Sequence, residues 1–230
     1  DNQPAEIVFR PADIFECIAP RIPFMIVDNP VGMKIIENRI GTVIVIRDVS
    51  HERELKKQLT YQASHDPLTG LYNRTKFEEE VKEAILSCDE SAIGHALCYM
   101  DLDQFKIVND TCGHIAGDRL LKQLSQVLVS DVRDNDIFAR LGGDEFGLLL
   151  EGCSLDKAEA IVEKIRKTVK EFRFTWEDKS FTLGISTGIV MINNDSESPD
   201  ILLSMADRAC YAAKDSGRNR IRIYQPNDIE

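Results

Sequence analysis

The stretch ARLGGDEFGLLL, residues 139–150, places two glycines and two acidic residues between two apolar runs. Strands are rich in residues such as Val, Ile and Leu, and they avoid Asp and Glu at buried positions. The two runs therefore predict a β-hairpin that turns at Gly142-Gly143. Because glycine has no Cβ, this turn lets another backbone or a ligand approach closely. Asp144 and Glu145 are then expected at an accessible tip.

The chain after residue 65 alternates between helical and strand periodicity. Helices are predicted at 74–88, about 114–132, 154–172 and 199–215, and strands at 95–102, 136–141, 145–150, 181–192 and 219–224. Gly217 follows the last helix, at the place of a C-terminal cap. Helices and strands interleaved around a hairpin predict an α/β (α+β) sandwich, with helices over a mainly antiparallel sheet.

The composition limits the classes of function. The chain has 230 residues, 43% of them hydrophobic and 29% charged, which is typical of a globular domain with a sizeable core. A net charge of −11 argues against a general nucleic-acid surface. No apolar run reaches the length of a membrane span. Six scattered cysteines without a CxxC pair favour reduced thiols and a cytoplasmic location, which leaves room for a membrane-anchored parent protein.

A second acidic motif occurs in CYMDLDQFKIVNDTCGHIAGD, residues 98–118. Asp101 and Asp103 are two residues apart at a strand end, so they share one face. Beside the hairpin, Asp101 would meet Asp144, and carboxylates this close repel unless a cation or proton lies between them. Oxygen ligands without His or Cys favour Mg²⁺, with the Leu102 carbonyl as a further ligand. The alternative is an exposed tip with solvated acids, but the Asp101 motif favours the metal.

Four motifs carry a resemblance to a known family. They are DPLTGLYNR at 66–74, DLDQFKIVNDTCGHIAGD at 101–118, RLGGDEF at 140–146 and AKDSGRNR at 213–220. In this order and spacing, residues 64–224 resemble the GGDEF domain of the diguanylate cyclase family. The resemblance implies a sheet like that of nucleotidyl cyclases and polymerase palms. It also implies that two GTP molecules condense to cyclic di-GMP and pyrophosphate in a homodimer of half-sites, with two Mg²⁺ ions or alternatively Mn²⁺.

The resemblance implies roles for the acids. Asp101, Asp144 and the Leu102 carbonyl match the positions of the metal ligands. Asp144, with Glu145 beside it, is expected to help remove the proton of the 3′-hydroxyl, and which acid is the base stays open. Asp103 is expected to be structural or to lie behind the metal ligands.

Nucleotide recognition is expected from residues of the same motifs. Asn109 and Asp118 match the guanine-binding positions, and a carboxylate that accepts from guanine N1–H and N2–H₂ favours GTP over ATP. The alternative for both residues is helix capping. His114 is a further candidate for substrate contact, although a single histidine more often has a packing role.

Positive charge for the triphosphate is expected from Lys106, Lys214 and Arg218, together with N–H groups at a helix start. Taken singly, each of these cations is as consistent with a solvated surface charge, and the motif positions favour phosphate binding. Asp66 and Arg140 are predicted to form a structural ion pair between the entry loop and the hairpin.

The segment RDND, residues 133–136, ends six residues before Gly142 and resembles the family's RxxD inhibitory motif. Arg133 can bind guanine O6 and N7 as a fork, and Asp136 can accept from N1–H. Product binding there would give feedback inhibition. The alternative is an exposed salt bridge at a helix end.

Three segments are predicted along the chain. Residues 1–48 resemble only the end of a PAS sensor domain, with a strand at Thr42–Ile46. Residues 49–64 are predicted to be a linker helix, whose apolar stripe suits either a parallel coiled coil or a surface helix packed on its own domain. Residues 65–226 are the predicted GGDEF domain.

The sequence therefore leads to three hypotheses about the function. The leading hypothesis is an active diguanylate cyclase, because no motif acid or guanine-contact residue is replaced. A non-catalytic cyclic di-GMP receptor that uses Arg133 and Asp136 is the alternative, and a dimerising scaffold is the third.

Overall fold

The computed structural model of the protein describes residues 33–36, 43–46, 50–88, 94–133 and 135–225. The chain divides into two units, residues 1–58 and 59–230. In the first, strands β1 (Met33–Ile36) and β2 (Val43–Ile46) pair antiparallel. Strand β2 confirms the strand predicted in this region. Most of the PAS-like segment lies outside the described residues, and its assignment stays a prediction.

The linker helix is present as α1 (Ser50–Ser64). Leu55 and Leu59 of its apolar stripe are 45% and 65% exposed. The choice between a parallel coiled coil and a surface helix stays a prediction. Within the described ranges, no helix combines the length and the hydropathy needed to cross a membrane.

The second unit is built on a five-stranded sheet in the order β4–β5–β3–β8–β9. These strands are β3 (His95–Asp103), β4 (Ile137–Gly142), β5 (Glu145–Leu150), β8 (Gly184–Ile192) and β9 (Ile221–Ile223). All neighbours run antiparallel except β8 and β9, which are parallel. The predicted mainly antiparallel sheet is therefore confirmed.

Helices cover both faces of this sheet. They are α2 (Arg74–Ser87), α3 (Phe105–Cys112), α4 (His114–Val129), α5 (Leu155–Glu171) and α6 (Pro199–Asp215). Met100 and Leu102 of β3 belong to the core shared with α3, α4 and α5, whereas Leu97 and Tyr99 belong to the core shared with α2 and α6. Because side chains alternate along a strand, Asp101 continues the row that faces α2 and α6.

One local prediction was wrong, and one helix had been missed. The strand predicted over 181–192 is divided: β7 (Lys179–Thr182) pairs with β6 (Arg173–Trp176) in a separate hairpin, and β8 starts at Gly184. Strand-forming residues on both sides of Gly184 concealed this change of partner. Helix α3 had not been predicted, because its eight residues are too few for a clear helical period.

Gly188 lies where α6 crosses the sheet. A Cβ at this position would overlap the Ala206 carbonyl oxygen and the Cys210 nitrogen, which belong to the helix backbone. Backbone atoms of a packed helix cannot rotate aside, so we expect Gly188→Ala to lower the free energy of unfolding by about 2–3 kcal/mol. Urea denaturation followed by circular dichroism measures this loss. An unchanged midpoint would show that α6 can shift away freely.

Candidate active site

The acids of the two motifs meet where β3 lies beside β5. Asp101 is paired opposite Glu145 across the two strands. The Leu102 N–H donates to the Asp144 carbonyl oxygen over 3.2 Å. The predicted meeting of Asp101 with the hairpin tip is therefore confirmed, and Asp144 and Glu145 are both half-buried there.

Asp101 is buried and carries one close cation. Its Oδ2 lies 2.5 Å from Nζ of Lys214, on the last turn of α6. Burial raises the pKa of Asp101 to about 6, and the charges of Asp144 and Glu145 act in the same direction, against the hydrogen bond and charge of Lys214. For Lys214, burial lowers the pKa, but bonding to Asp101 outweighs it and leaves the pKa raised. The lysine predicted to bind phosphate thus contacts the acid predicted to bind metal.

Because the pKa of Asp101 is raised, ionisation of this carboxyl group destabilises the folded, metal-free protein. A carboxyl group with a pKa of about 6 in the folded protein and 3.8 in the unfolded chain contributes stability below pH 3.8, which is lost as the pH rises through 6. We expect Asp101→Asn to raise the free energy of unfolding at pH 7.5 by about 1–3 kcal/mol, and to leave it nearly unchanged at pH 3.5. The asparagine oxygen can still accept from Lys214.

Urea denaturation of both proteins in a chelator at the two pH values tests this expectation. A loss of stability at pH 7.5, or a gain that is larger at pH 3.5, would contradict it.

Asp103 has a structural position. Its carboxylate accepts from Ser186 Oγ at 2.9 and 3.1 Å and from the Asn219 N–H at 2.8 Å. It is 5% exposed. These bonds tie the end of β3 to β8 and to the loop after α6. Of the two predicted roles for Asp103, the geometry supports the structural one.

Arg140 fixes the hairpin turn. Its Nη1 lies 3.2 Å from both carboxylate oxygens of Asp66, which confirms the predicted ion pair. Its Nε and Nη2 donate to the Gly143 carbonyl oxygen at 3.0 and 2.8 Å. Burial raises the pKa of Asp66, but hydrogen bonds from Thr69 and the charge of Arg140 outweigh it and leave the pKa lowered. Arg140 thus connects the hairpin turn to the entry loop that contains Asp66.

Asn109 and Asp118 lie on consecutive helices, α3 and α4. Gly113 separates the helices, and no side chain caps α4 at this junction. The capping alternative for the two residues is therefore not supported. A Cβ on Gly117 would overlap the Asn109 carboxamide, so that carboxamide lies directly against the backbone beside Asp118. Asn109 thus lies against the turn of α4 that carries Asp118, and His114 is exposed at the first residue of that helix.

The other predicted phosphate contacts lie on exposed segments. Lys106 is the second residue of α3, and Gln104 before the helix makes no side-chain cap. Arg218 is exposed in the loop between α6 and β9, with a φ of 61°.

Arg133 and Asp136 lie at the other end of β4. The Asp136 carboxylate accepts from the Arg133 backbone N–H at 3.2 Å. Among the described residues, the exposed Arg133 guanidinium has no ion pair, so the predicted alternative of a helix-end salt bridge is not observed. The two side chains stay accessible to a ligand.

Sequence reasoning missed Tyr99 and Arg74 at this site. Burial raises the pKa of Tyr99, and a hydrogen bond with Glu145 adds to the effect. The pKa of Arg74 is raised mainly by its hydrogen bond to Glu78 at 2.9 Å, and the charge of Glu145 adds a smaller contribution. The signal for Tyr99 was its place two residues before Asp101, which puts both on one face. Of the two residues, Tyr99 contacts Glu145 directly.

The acids fit an incomplete metal site. Within the part of the chain that the structure describes, no three His, Cys, Asp or Glu side chains form a metal-binding cluster. Two carboxylates and a strand-end carbonyl suit Mg²⁺, because this ion keeps several waters and completes its shell with substrate phosphates.

Comparisons with known proteins agree with this geometry. Residues 63–220 match the family model for "Diguanylate cyclase, GGDEF domain". Over 189 residues the chain is 43% identical to the probable diguanylate cyclase DgcE of Escherichia coli (strain K12), covering 82% of this chain and 17% of DgcE. Over 194 residues it is 39% identical to the cyclic di-GMP phosphodiesterase PdeB of Shewanella oneidensis, covering 83% of this chain and 22% of PdeB.

A solved structure shows the same fold. The coiled coil and GGDEF domain of DgcB from Caulobacter crescentus, in complex with c-di-GMP, superposes with a TM-score of 0.71 at 28% identity, covering 76% of this chain and 93% of that one. The predicted α/β sandwich with a palm-like sheet is confirmed. Because the family model spans more than half of the chain, this chain belongs to the GGDEF-domain family of diguanylate cyclases.

Proposed function

We propose that the protein is an active diguanylate cyclase that condenses two GTP molecules into cyclic di-GMP. The pairing of Asp101 with the tip that carries Asp144 and Glu145 is the observation that carries this proposal. The chain spans about a fifth of the length of DgcE and PdeB, so the activity rests on this site rather than on those whole proteins.

In the proposed reaction, the 3′-oxygen of each GTP attacks the α-phosphorus of the other. A bond forms between the 3′-oxygen and the α-phosphorus, the bond to the β-phosphate oxygen breaks, and pyrophosphate leaves. The proton of the 3′-hydroxyl passes to an acid at the tip, Asp144 or Glu145. Tyr99, which forms a hydrogen bond with Glu145, would help to orient it for this role.

Asp101, Asp144 and the Leu102 carbonyl would hold Mg²⁺, or alternatively Mn²⁺. Bound there, the two expected ions would neutralise phosphate charge and favour the 3′-alkoxide. Lys214 already neutralises Asp101, and its ammonium has three donors, so it can contact Asp101 and a phosphate oxygen together. Lys106 and Arg218 would add positive charge along the triphosphate.

Asn109 and Asp118 would bind the guanine edge, with His114 beside them. Each GTP occupies one half-site, so synthesis requires a homodimer. The exposed apolar stripe of Leu55 and Leu59 on α1 supports dimerisation through that helix. Residues 49–64 would then link residues 1–48, as the signal input, to the domain at 65–226. GTP as substrate and the free thiols of the five cysteines in the described ranges suit a cytoplasmic location.

Arg133 and Asp136 would bind the product and limit synthesis. The exposed position of Arg133, the half-buried position of Asp136 and the missing salt bridge in the described chain support this assignment.

The direct test is to incubate the protein with GTP and Mg²⁺ and to separate the nucleotides by chromatography. We expect cyclic di-GMP and pyrophosphate in a 1:2 ratio, and no product in a chelator. The protein concentration is raised until light scattering shows dimers. Absence of product from the dimer would overturn the proposal.

The alternative is a non-catalytic cyclic di-GMP receptor that uses Arg133 and Asp136. The similarity to PdeB supports this alternative, because PdeB is named as a cyclic di-GMP phosphodiesterase and not as a cyclase. Product binding without any synthesis would support the receptor.

A further inference from the structure

We propose that a cationic groove beside the reaction centre binds pyrophosphate, either as the terminal phosphates of the bound nucleotide or as the released product. The groove has a volume of about 470 Å³ and is lined by Gln104, Lys170, Arg173, Gly184, Arg218 and Asn219, among others. The new element is the pair Lys170 and Arg173, which the family's motifs do not include. The proposal rests on the proposed function for its source of pyrophosphate.

The groove is positive in an acidic protein. The net charge of the chain is −11, yet Lys170, Arg173 and Arg218 converge on this one cavity. Within the described ranges, none of the three forms an ion pair, and all three are exposed. The carboxylate that lines the groove, Asp103, already accepts from Ser186 and Asn219. A concentrated positive field of this kind attracts a multivalent anion.

Arg173 is held in place for binding. Its Nη1 donates to the carbonyl oxygens of Lys170 at 2.8 Å and Phe172 at 3.3 Å. A guanidinium has five N–H donors, so Nε and Nη2 remain to form a fork on a phosphate. Lys170 alone would be explained by the charge preference of a helix end, because it lies in the last turn of α5. That preference does not explain why three cations from three segments meet.

The backbone around the groove is strained. Gln104, Arg218 and Asn219 have φ values of 67°, 61° and 47°, and among the described residues they are three of the four non-glycine residues with positive φ. Such conformations are unfavourable, and they concentrate at binding sites. The bond from the Asn219 N–H to Asp103 fixes this conformation.

The groove also lies next to the proposed chemistry. Asp103 follows Asp101 by two residues on the same strand face, a distance of about 7 Å. Arg218 follows Lys214, the partner of Asp101, by four residues and lies in the loop just after α6. A triphosphate with its α-phosphorus at Asp101 and Asp144 therefore has a cationic channel for its terminal end, and pyrophosphate cleaved there has a place to bind.

The test uses the full chain with Lys170→Gln, Arg173→Gln and the double substitution. Lys167→Gln is the matched control, because Lys167 is exposed one turn earlier on α5 and is paired with Glu163. Calorimetry with inorganic pyrophosphate gives the binding constant, and initial rates give KM for GTP. We expect each groove substitution to weaken pyrophosphate binding about tenfold, as for the loss of one charge-assisted contact, and the control to bind like the parent.

The two sources of pyrophosphate separate in the same data. If KM for GTP and the pyrophosphate dissociation constant both rise, the groove holds the terminal phosphates of the substrate. If only the pyrophosphate dissociation constant rises, the groove holds the released product. If neither changes in the double variant while its thermal midpoint stays normal, the proposal is overturned. Arg173→Lys should restore part of the affinity if charge is what matters.

Failure of the groove and failure of the proposed function are distinguishable, because the pyrophosphate titration needs no turnover. Binding that depends on Lys170 in a protein without synthesis would overturn only the function. Normal synthesis with unchanged pyrophosphate affinity in the double variant would overturn only the groove.

Discussion

Replacing Asp144 by asparagine is expected to lower the rate of cyclic di-GMP synthesis about a thousandfold, the upper range for loss of one preorganised electrostatic group. Asp144 lies at the hairpin tip beside Asp101, and its charge helps to raise the pKa of that carboxyl group. The amide keeps the size of the side chain but cannot take a proton or hold a cation equally well. Chromatography of the products from GTP and Mg²⁺ measures the loss.

The matched control is Glu151→Gln, an exposed acid just beyond the other end of β5, which should leave the rate unchanged. Asp144→Asn should also keep its affinity for cyclic di-GMP, whereas adding Arg133→Ala should remove it. Synthesis by Asp144→Asn at the parent rate would contradict the assignment of the reaction centre.

Replacing Asp118 by alanine is expected to lower kcat/KM for GTP about 100-fold, because two hydrogen bonds from guanine to a carboxylate are lost. The value of kcat/KM for ATP is expected to stay the same, so that the preference for GTP over ATP shrinks. Asp118 lies in α4 beside Gly117, and the Asn109 carboxamide lies against that glycine. The measurement is initial rates with both nucleotides.

Asp110→Ala is the control, since Asp110 is an exposed acid on the neighbouring helix and has no assigned role. An equal fall in kcat/KM for GTP and ATP would mean that Asp118 stabilises the fold or the dimer and does not recognise the base.

The position of the acids could be predicted from local patterns. The alternation of β3 places Asp101 and Asp103 on one face, and the glycine turn places Asp144 at a tip. Their meeting needed only that the two strands be neighbours, which the structure confirms.

Other features of the fold and the site could not be predicted from the sequence, because they depend on packing between elements that are distant along the chain. Lys214 reaches Asp101 because α6 crosses β8 at Gly188, and no local period indicates which helix covers which strand. The hairpin of β6 and β7 was hidden, because Phe181 and Thr182 suit either strand partner. Lys170 and Arg173 resemble ordinary charges at a helix end until the fold brings Arg218 to the same cavity.

The hairpin that carries Asp144 has Arg133 and Asp136 near its opposite end. Strand β4, six residues long, separates them by about 20 Å, which is more than a nucleotide at one end can bridge by direct contact. Cyclic di-GMP held at Arg133 would therefore reduce the maximal velocity without competing with GTP, and excess GTP would not relieve it. A cell with such an enzyme would have a ceiling on its messenger concentration that is set by the messenger itself and is independent of the nucleotide supply.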